Sequence, residues 1–300
     1  MARRKWKWTS KQFDKLNKVT DILQELADYK PLTLRQVYYQ LVGKGFIDNK
    51  VSEYNMLSKL LKWARIDGYV SWADIEDRVR SFHNSAGWHD KDHFITQELN
   101  NFLKGYRRDL LQGQERYIEC WIEKDALSSI FTRMAGPYSV SVVVCIGFSS
   151  VSFLNDFRQR LTSQNRPAVM LYFGDFDPSG LEMLQAMQTT FINELGVRDI
   201  EFKRMALLQE DISLYNLPHK FNALKMTDTR AKKHIQKYGH LAVELDALRP
   251  DILEAKIKNA IESELNIEAF NHEVRQHFEE IIGIKKCRQR VVEFMGENLC

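Results

Sequence analysis

Ala168-Val-Met-Leu-Tyr-Phe-Gly-Asp-Phe-Asp-Pro-Ser-Gly180 is an unbroken apolar run that stops abruptly at two acids, a proline and a glycine. A short apolar run with β-branched and aromatic members, bounded by turn residues, predicts a buried strand of a parallel sheet. Asp175 and Asp177 then stand past its carboxyl end, the edge at which open α/β sheets hold their ligands. Side chains two apart on extended backbone point the same way, so the two carboxylates can converge on one hard cation. The competing assignment makes Asp177 the cap of the next helix and Asp175 a solvated loop residue, and Asp-x-Asp alone does not separate the two.

The flanking sequence repeats the pattern. Tyr117-Ile-Glu-Cys-Trp-Ile122 predicts a strand ending in Glu123-Lys124, followed by a helix over 125–135. A strand over 139–146, a helix over 149–161, a helix over 180–195 and a strand over 200–205 continue the alternation. Strands and helices in this order predict an α/β fold with a mainly parallel sheet and right-handed crossovers. Glu123 then shares an edge with Asp175 and Asp177, a three-carboxylate set suited to Mg²⁺, which takes a few protein oxygens and keeps several waters. Gly239-His-Leu-Ala-Val-Glu-Leu-Asp-Ala-Leu248 predicts a further strand ending in Glu244 and Asp246. Residues 250–265 and 267–298 read as helices.

Upstream the period is helical. Phe13, Leu16, Val19, Leu23 and Leu26 predict an amphipathic helix within 9–29, opened by Thr9 or Ser10. Thr33 predicts the cap of a helix from Leu34 to about Gly43. At ~100° per residue, Leu34, Val37, Tyr38, Leu41 and Val42 form one stripe with Tyr38 in its middle, while Tyr39 falls at the polar edge with Arg35 one turn before it. Tyr39 is thus either a nucleophile beside a guanidinium or a rim tyrosine packed on an arginine. Residues 52–66 predict a helix with Tyr54, Leu57, Leu60, Leu61 and Ala64 inward and Lys59, Lys62 and Arg65 outward. With Gly68–Ser71 as a wing strand, this reads as a winged helix-turn-helix whose basic face meets DNA phosphates. Arg3, Arg4, Lys5 and Lys7, interleaved with Trp6 and Trp8, suit either an arm along a phosphate backbone or a solvated terminus. His89 and His93 lie in a polar connection and read as a solvated helix start.

Composition bounds the rest. The chain is 44% hydrophobic and 28% charged, ordinary for a globular protein, and its net charge of +3 divides into +6 over residues 1–110 and −3 over 111–300. No apolar run approaches ~20 residues, so no membrane partner is expected and the chain reads as cytoplasmic. The four cysteines form no Cys-x-x-Cys pair. No Gly-x-x-x-x-Gly-Lys-Ser/Thr loop is present, so ATP hydrolysis by this chain itself is not expected. The change of period predicts a DNA-binding domain over 1–110, a linker over 104–116 and a metal-binding domain with C-terminal helices over 115–300.

The combination resembles the A subunit of type IIB topoisomerase (topoisomerase VI) and its relative, the meiotic double-strand-break transesterase. Arg35-Gln-Val-Tyr-Tyr39 resembles the family's Arg-x-x-Tyr-Tyr. Ile122-Glu-Lys-Asp-Ala-Leu127 and Gly174-Asp-Phe-Asp-Pro-Ser-Gly180 resemble the motifs of its Toprim domain, and Val243-Glu-Leu-Asp-Ala-Leu248 its final Glu-x-Asp-Ala-Leu. The resemblance spans roughly residues 30–265, and the short chain is more similar to the compact single-chain relatives of phages and mobile elements. It implies a winged helix followed by a Toprim domain, with Tyr39 attacking double-stranded DNA to leave a 5′-phosphotyrosyl link. Arg35 would stand beside the attacked phosphate, Glu123, Asp175 and Asp177 would hold Mg²⁺, and Glu244 would add a further acid. It implies a homodimer on DNA in a nucleoid-associated setting, and it leaves open a separate ATPase subunit, religation, and the role of 206–238. Two other readings remain: a Toprim nuclease that hydrolyses DNA with water, and a non-catalytic DNA-binding protein.

Overall fold

The computed structural model describes residues 6–76, 87–145, 150–219 and 229–298. In chain order it contains α1 (Ser10–Glu25), β1 (Leu32–Thr33), α2 (Leu34–Gly43), α3 (Val51–Ile66), β2 (Ile75–Glu76), α4 (Lys91–Asn101), β3 (Tyr117–Ile122), α5 (Ser128–Ala135), β4 (Ser141–Val144), α6 (Val151–Gln164), β5 (Ala168–Phe173), α7 (Pro178–Thr189), β6 (Ile200–Ala206), α8 (Gln209–Leu214), α9 (Thr229–Tyr238), α10 (Pro250–Glu262) and α11 (Ile267–Asn298). The fold is mixed α/β. Two compact units are each assembled from two stretches of chain, residues 1–79 with 116–263 and residues 80–115 with 264–300. Among the described residues no helix is long and apolar enough to cross a membrane.

The first unit is built on a four-stranded parallel sheet in the order β4-β3-β5-β6. All six residues of β3 and all six of β5 are buried, as strands covered on both faces require. Trp121, Met170 and Tyr172 point to one face and pack with Phe157, Met187 and Phe191. Phe173 points to the other, where its ring lies 4.8 Å from that of Phe131. One acid is folded into this core: Glu119 accepts hydrogen bonds from the Tyr117 hydroxyl (2.6 Å), the Trp121 indole (2.8 Å) and Arg160 Nε (2.9 Å). The burial of that charge is tolerable because Arg160 neutralises it and the aromatic donors satisfy its oxygens. Chain order reverses between β3 and β5, so the carboxyl ends of these two strands flank the switch point of the sheet.

The N-terminal helices of the same unit begin as their sequence dictates. Thr9 Oγ1 accepts the Gln12 N–H while Gln12 Oε1 accepts the Thr9 N–H, and Thr33 and Gln36 repeat the exchange at the start of α2. Trp6 stacks on Trp63 and the Trp8 indole donates to Asp67, so both tryptophans are folded back onto α3. Arg3, Arg4 and Lys5 lie outside the described residues. The expected wing strand at 68–71 is absent: Gly68, at φ +83°, turns the chain so that the Tyr69 and Val70 amides both return to the Ala64 carbonyl at the end of α3. The short ladder of this region instead pairs β1 with β2 in parallel, Leu32 opposite Ile75.

The second unit joins α4 and the turns around 102–115 to α11. Arg108 donates from Nε to Glu273 and from Nη1 to Glu280, Gln112 donates to Glu273, and Arg288 donates to the carbonyls of Leu99, Asn100 and Phe102. His89 and His93 stand exposed at the start of α4, capped by Asp90.

Candidate functional site

The site grows from the carboxyl end of β5. Immediately past Phe173 the chain must pass Glu123 at close range. A Cβ on Gly180 would lie 2.3 Å from the Asp175 carbonyl, so only glycine fits there, and one on Gly174 would lie 2.7 Å from Glu123 Oε2 and would displace that carboxylate. Glu123 Oε2 accepts the Asp175 N–H at 2.8 Å. Asp177 Oδ1 accepts the Gly180 N–H at 2.8 Å and caps α7, with Pro178 at its first position. The helix-cap role weighed for Asp177 is therefore real.

The segment at 242–248 is not a further strand of the sheet. Val243 forms an isolated antiparallel bridge with Phe176, exchanging both backbone hydrogen bonds at 2.9 Å, and a 3₁₀ turn follows over Leu245–Ala247. Asp175 Oδ1 accepts the Leu245 N–H at 2.8 Å. This loop-to-loop pairing, rather than a ladder within the sheet, brings Glu244 and Asp246 beside Asp175.

Lys124 stands among these acids. Its ammonium lies 2.9 Å from Asp175 Oδ1, 2.8 Å from Asp246 Oδ2 and 3.3 Å from Glu244 Oε2. Burial opposes its charge, but Asp246, Asp175 and Glu244 outweigh burial and hold the ammonium above the usual lysine range. Asp246 is buried, and its Oδ1 has no hydrogen-bond partner among the described residues. Burial, and then the Asp175 charge, push Glu123 up to about 7. Burial likewise raises Asp175, against the pull of Lys124. Among the described residues no three His, Cys, Asp or Glu side chains are gathered around one metal-sized point; the lysine supplies the cation for three of the acids instead.

Helix α2 meets this cluster through Arg35 and Tyr39. Arg35 Nη1 lies 2.9 Å from Glu244 Oε2 and 3.9 Å from Asp246 Oδ2. Tyr39 is only 6% exposed, which corrects the helical-wheel expectation of a rim position. The wheel saw α2 alone, whereas the 242–248 segment covers its polar edge. Burial, and then Glu244, hold the Tyr39 hydroxyl above the usual tyrosine range, and that hydroxyl is hydrogen-bonded to Glu244. Tyr38 is buried as expected, 4% exposed, with its hydroxyl donating to Asn49 Oδ1 (3.0 Å) and the Lys50 carbonyl (3.2 Å).

A cleft of about 690 Å³ opens beside the cluster, lined by Arg35, Tyr54, Arg65, Glu76, Glu123 and Lys124 among others. Arg65 faces it with its guanidinium over the Trp72 ring. Lys59 and Lys62 are exposed on the outer side of α3, over Trp6 and Trp63, and do not line it. Sequence reasoning left three participants without a role. Lys124 enters the sequence reading only as the neighbour of Glu123, and Asp246 only as one of two acids ending an expected strand; a lysine at the end of a buried strand is the available signal. Arg204 donates to the carbonyls of Gly174, Gly180 and Leu207 at 3.0 Å each, binding the acid loop to β6. Nothing in its local pattern marked it.

The geometry defines a class: an open parallel α/β unit with acids, Lys124, Arg35 and Arg204 gathered at the switch point of its sheet. No protein-family model matches the chain, and no curated protein sequence matches it.

Proposed function

We propose that this chain is a topoisomerase VI A-like enzyme, with the helices of residues 10–66 acting as a DNA-binding helix-turn-helix that lacks the expected wing at 68–71, the sheet as a Toprim domain, and Tyr39 as the nucleophile that cleaves double-stranded DNA. The observation that carries the reading is the convergence of Arg35 and Tyr39, from α2, on Glu244, which shares Lys124 with Asp175. These residues come from the four separate segments in which the sequence resemblance was found.

Glu123, Asp175 and Asp177 would offer Mg²⁺ only carboxylate oxygens, which suits a hard cation, but they do not converge on one metal-sized point and Asp175 is paired with Lys124, so holding the ion would require these side chains to rearrange. When bound, Mg²⁺ supplies positive charge to phosphate oxygens in the transition state. The chain's own groups do the rest. The Tyr39 oxygen forms a bond to phosphorus, its proton passes to Glu244, and the departing 3′ oxygen takes up a proton to leave a 3′-hydroxyl. One phosphoester replaces another, so no energy source is required. Arg35, whose side chain is 41% exposed on the cleft, contacts the phosphate. Lys59, Lys62 and Arg65 contact flanking phosphates. Because Tyr39 is buried, cleavage requires the 242–248 segment to uncover it.

That burial favours a second reading, hydrolysis by water at Glu123 and Lys124 with Tyr39 structural. Incubation with DNA and Mg²⁺ followed by a denaturing gel separates them. Protein-linked DNA ends support the tyrosine reading, and free cut ends support the nuclease.

A further inference from the structure

We propose that the cleft beside the acid cluster takes one unpaired nucleotide of a DNA strand, held against Arg65. The inference deepens the DNA-cleavage reading and rests on it for the identity of the polymer alone. At about 690 Å³ the cleft has the size of a small-ligand site, and a duplex does not fit into it. Its lining joins apolar side chains, Leu34, Tyr54 and Ile75, to the cation Arg65. A nucleotide presents the matching pair of chemistries, a flat base next to a phosphate. The carboxylates that share the lining, Glu76, Glu123 and Asp125, repel a second phosphate but can accept the amino protons of a base edge.

Arg65 differs from the other cations of the lining. Arg35 is paired with Glu244 and Lys124 with Asp175, whereas Arg65 Nε is buried and has no hydrogen-bond partner among the described residues. A buried donor left unpaired is costly, and a nucleotide supplies its partner. Trp72 positions this guanidinium. Its ring lies 5.1 Å away, is 65% exposed, and sits on the turn that leads into β2. Ser71 caps that turn by accepting the Ala73 N–H, and Asp74 is paired with Lys30 at 2.9 Å, so the ring is carried on fixed backbone. Aromatic rings and guanidinium planes of this kind are what unpaired bases stack on. A paired base reaches such a site only by leaving its stack, which costs least where the base is already unpaired. Lys59 and Lys62 serve flanking phosphates from the outer side of α3, whereas Arg65 turns into the cleft.

The test is fluorescence anisotropy of the full chain, in EDTA so that no cleavage intervenes. One probe is a fully paired duplex, and the other is the same duplex carrying a single unpaired fluorescent adenine analogue. Wild type should bind the second roughly 10-fold more tightly and quench the analogue by stacking. Arg65→Lys keeps the charge but loses the plane, so it should abolish both the preference and the quench. Trp72→Ala should do the same, and Trp72→Phe should restore most of both. Trp88→Ala, at an exposed tryptophan of the other unit, should change neither. No preference in wild type, a quench that survives Arg65→Lys and Trp72→Ala, or competition by free deoxyadenosine monophosphate as strong as that by the unpaired strand overturns the proposal. The adduct assay with Mg²⁺ is read separately. Adduct on DNA bound without preference rejects this site and leaves the tyrosine chemistry standing, whereas preference and quench without adduct do the reverse.

Discussion

Arg35 Nη1 meets Glu244 Oε2 at 2.9 Å, joining a helix near the start of the chain to a turn that follows the whole sheet. Glu244 is 6% exposed and has Lys124 as its second cation. Arg35→Ala therefore leaves the carboxylate still paired with Lys124. Because the guanidinium is well exposed, the cost should be about 1–2 kcal/mol, below that of a fully buried pair. Glu244→Gln in the Arg35→Ala background should recover part of the loss, giving a coupling of about 1 kcal/mol in a double-mutant cycle by urea unfolding. Strict additivity would mean that the contact contributes nothing to the fold.

Asp177 offers a cap and a charge, which substitution can separate. Asp177→Asn keeps the oxygen that accepts the Gly180 N–H, so its stability should stay within about 0.5 kcal/mol of wild type while Mg²⁺-dependent cleavage is lost. Asp177→Ala should lose cleavage and also about 1 kcal/mol of stability. Full cleavage by Asp177→Asn would assign the residue to the helix alone.

Much of this arrangement was legible in the sequence, and the misses have a common cause. Strands β3 and β5 and helix α2 carry their boundaries locally, in apolar runs cut by acids and glycines and in the Thr33–Gln36 capping box, so their expected and observed ranges agree. The 242–248 segment has the composition of a strand, yet its hydrogen bonds go to the loop after β5, a pairing no local pattern encodes. Tyr39 was misplaced for the same reason, since its burial comes from that segment and not from α2. Gly68–Ser71 failed as a wing because its amides were claimed by the end of α3.

Glu123 predicts a pH dependence. Its native value, pushed up to about 7, lies above the ordinary 4.5, so between those values the native state binds more proton than the unfolded chain. Stability of the metal-free protein should therefore fall as pH rises from about 5 to 8, by on the order of 2 kcal/mol from this residue. Glu123→Gln should flatten that decline. Mg²⁺ requires the carboxylate, so it should raise Tm more at pH 8 than at pH 5, and less in Glu123→Gln. Equal Mg²⁺ shifts at both pH values, or in both proteins, would count against Glu123 as a ligand.

The central claim is tested most directly by the paired tyrosines in a denaturing protein–DNA adduct assay with Mg²⁺, run beside thermal melts. Tyr38→Ala should cost roughly 3–5 kcal/mol as a core truncation, and Tyr38→Phe about 1 kcal/mol for its two hydroxyl contacts, with adduct retained in the latter. Tyr39→Phe should also cost only about 1 kcal/mol, for the hydrogen bond to Glu244, yet abolish the covalent adduct entirely. Adduct that survives in Tyr39→Phe, or DNA cut by wild type with no protein attached to either end, would contradict the account.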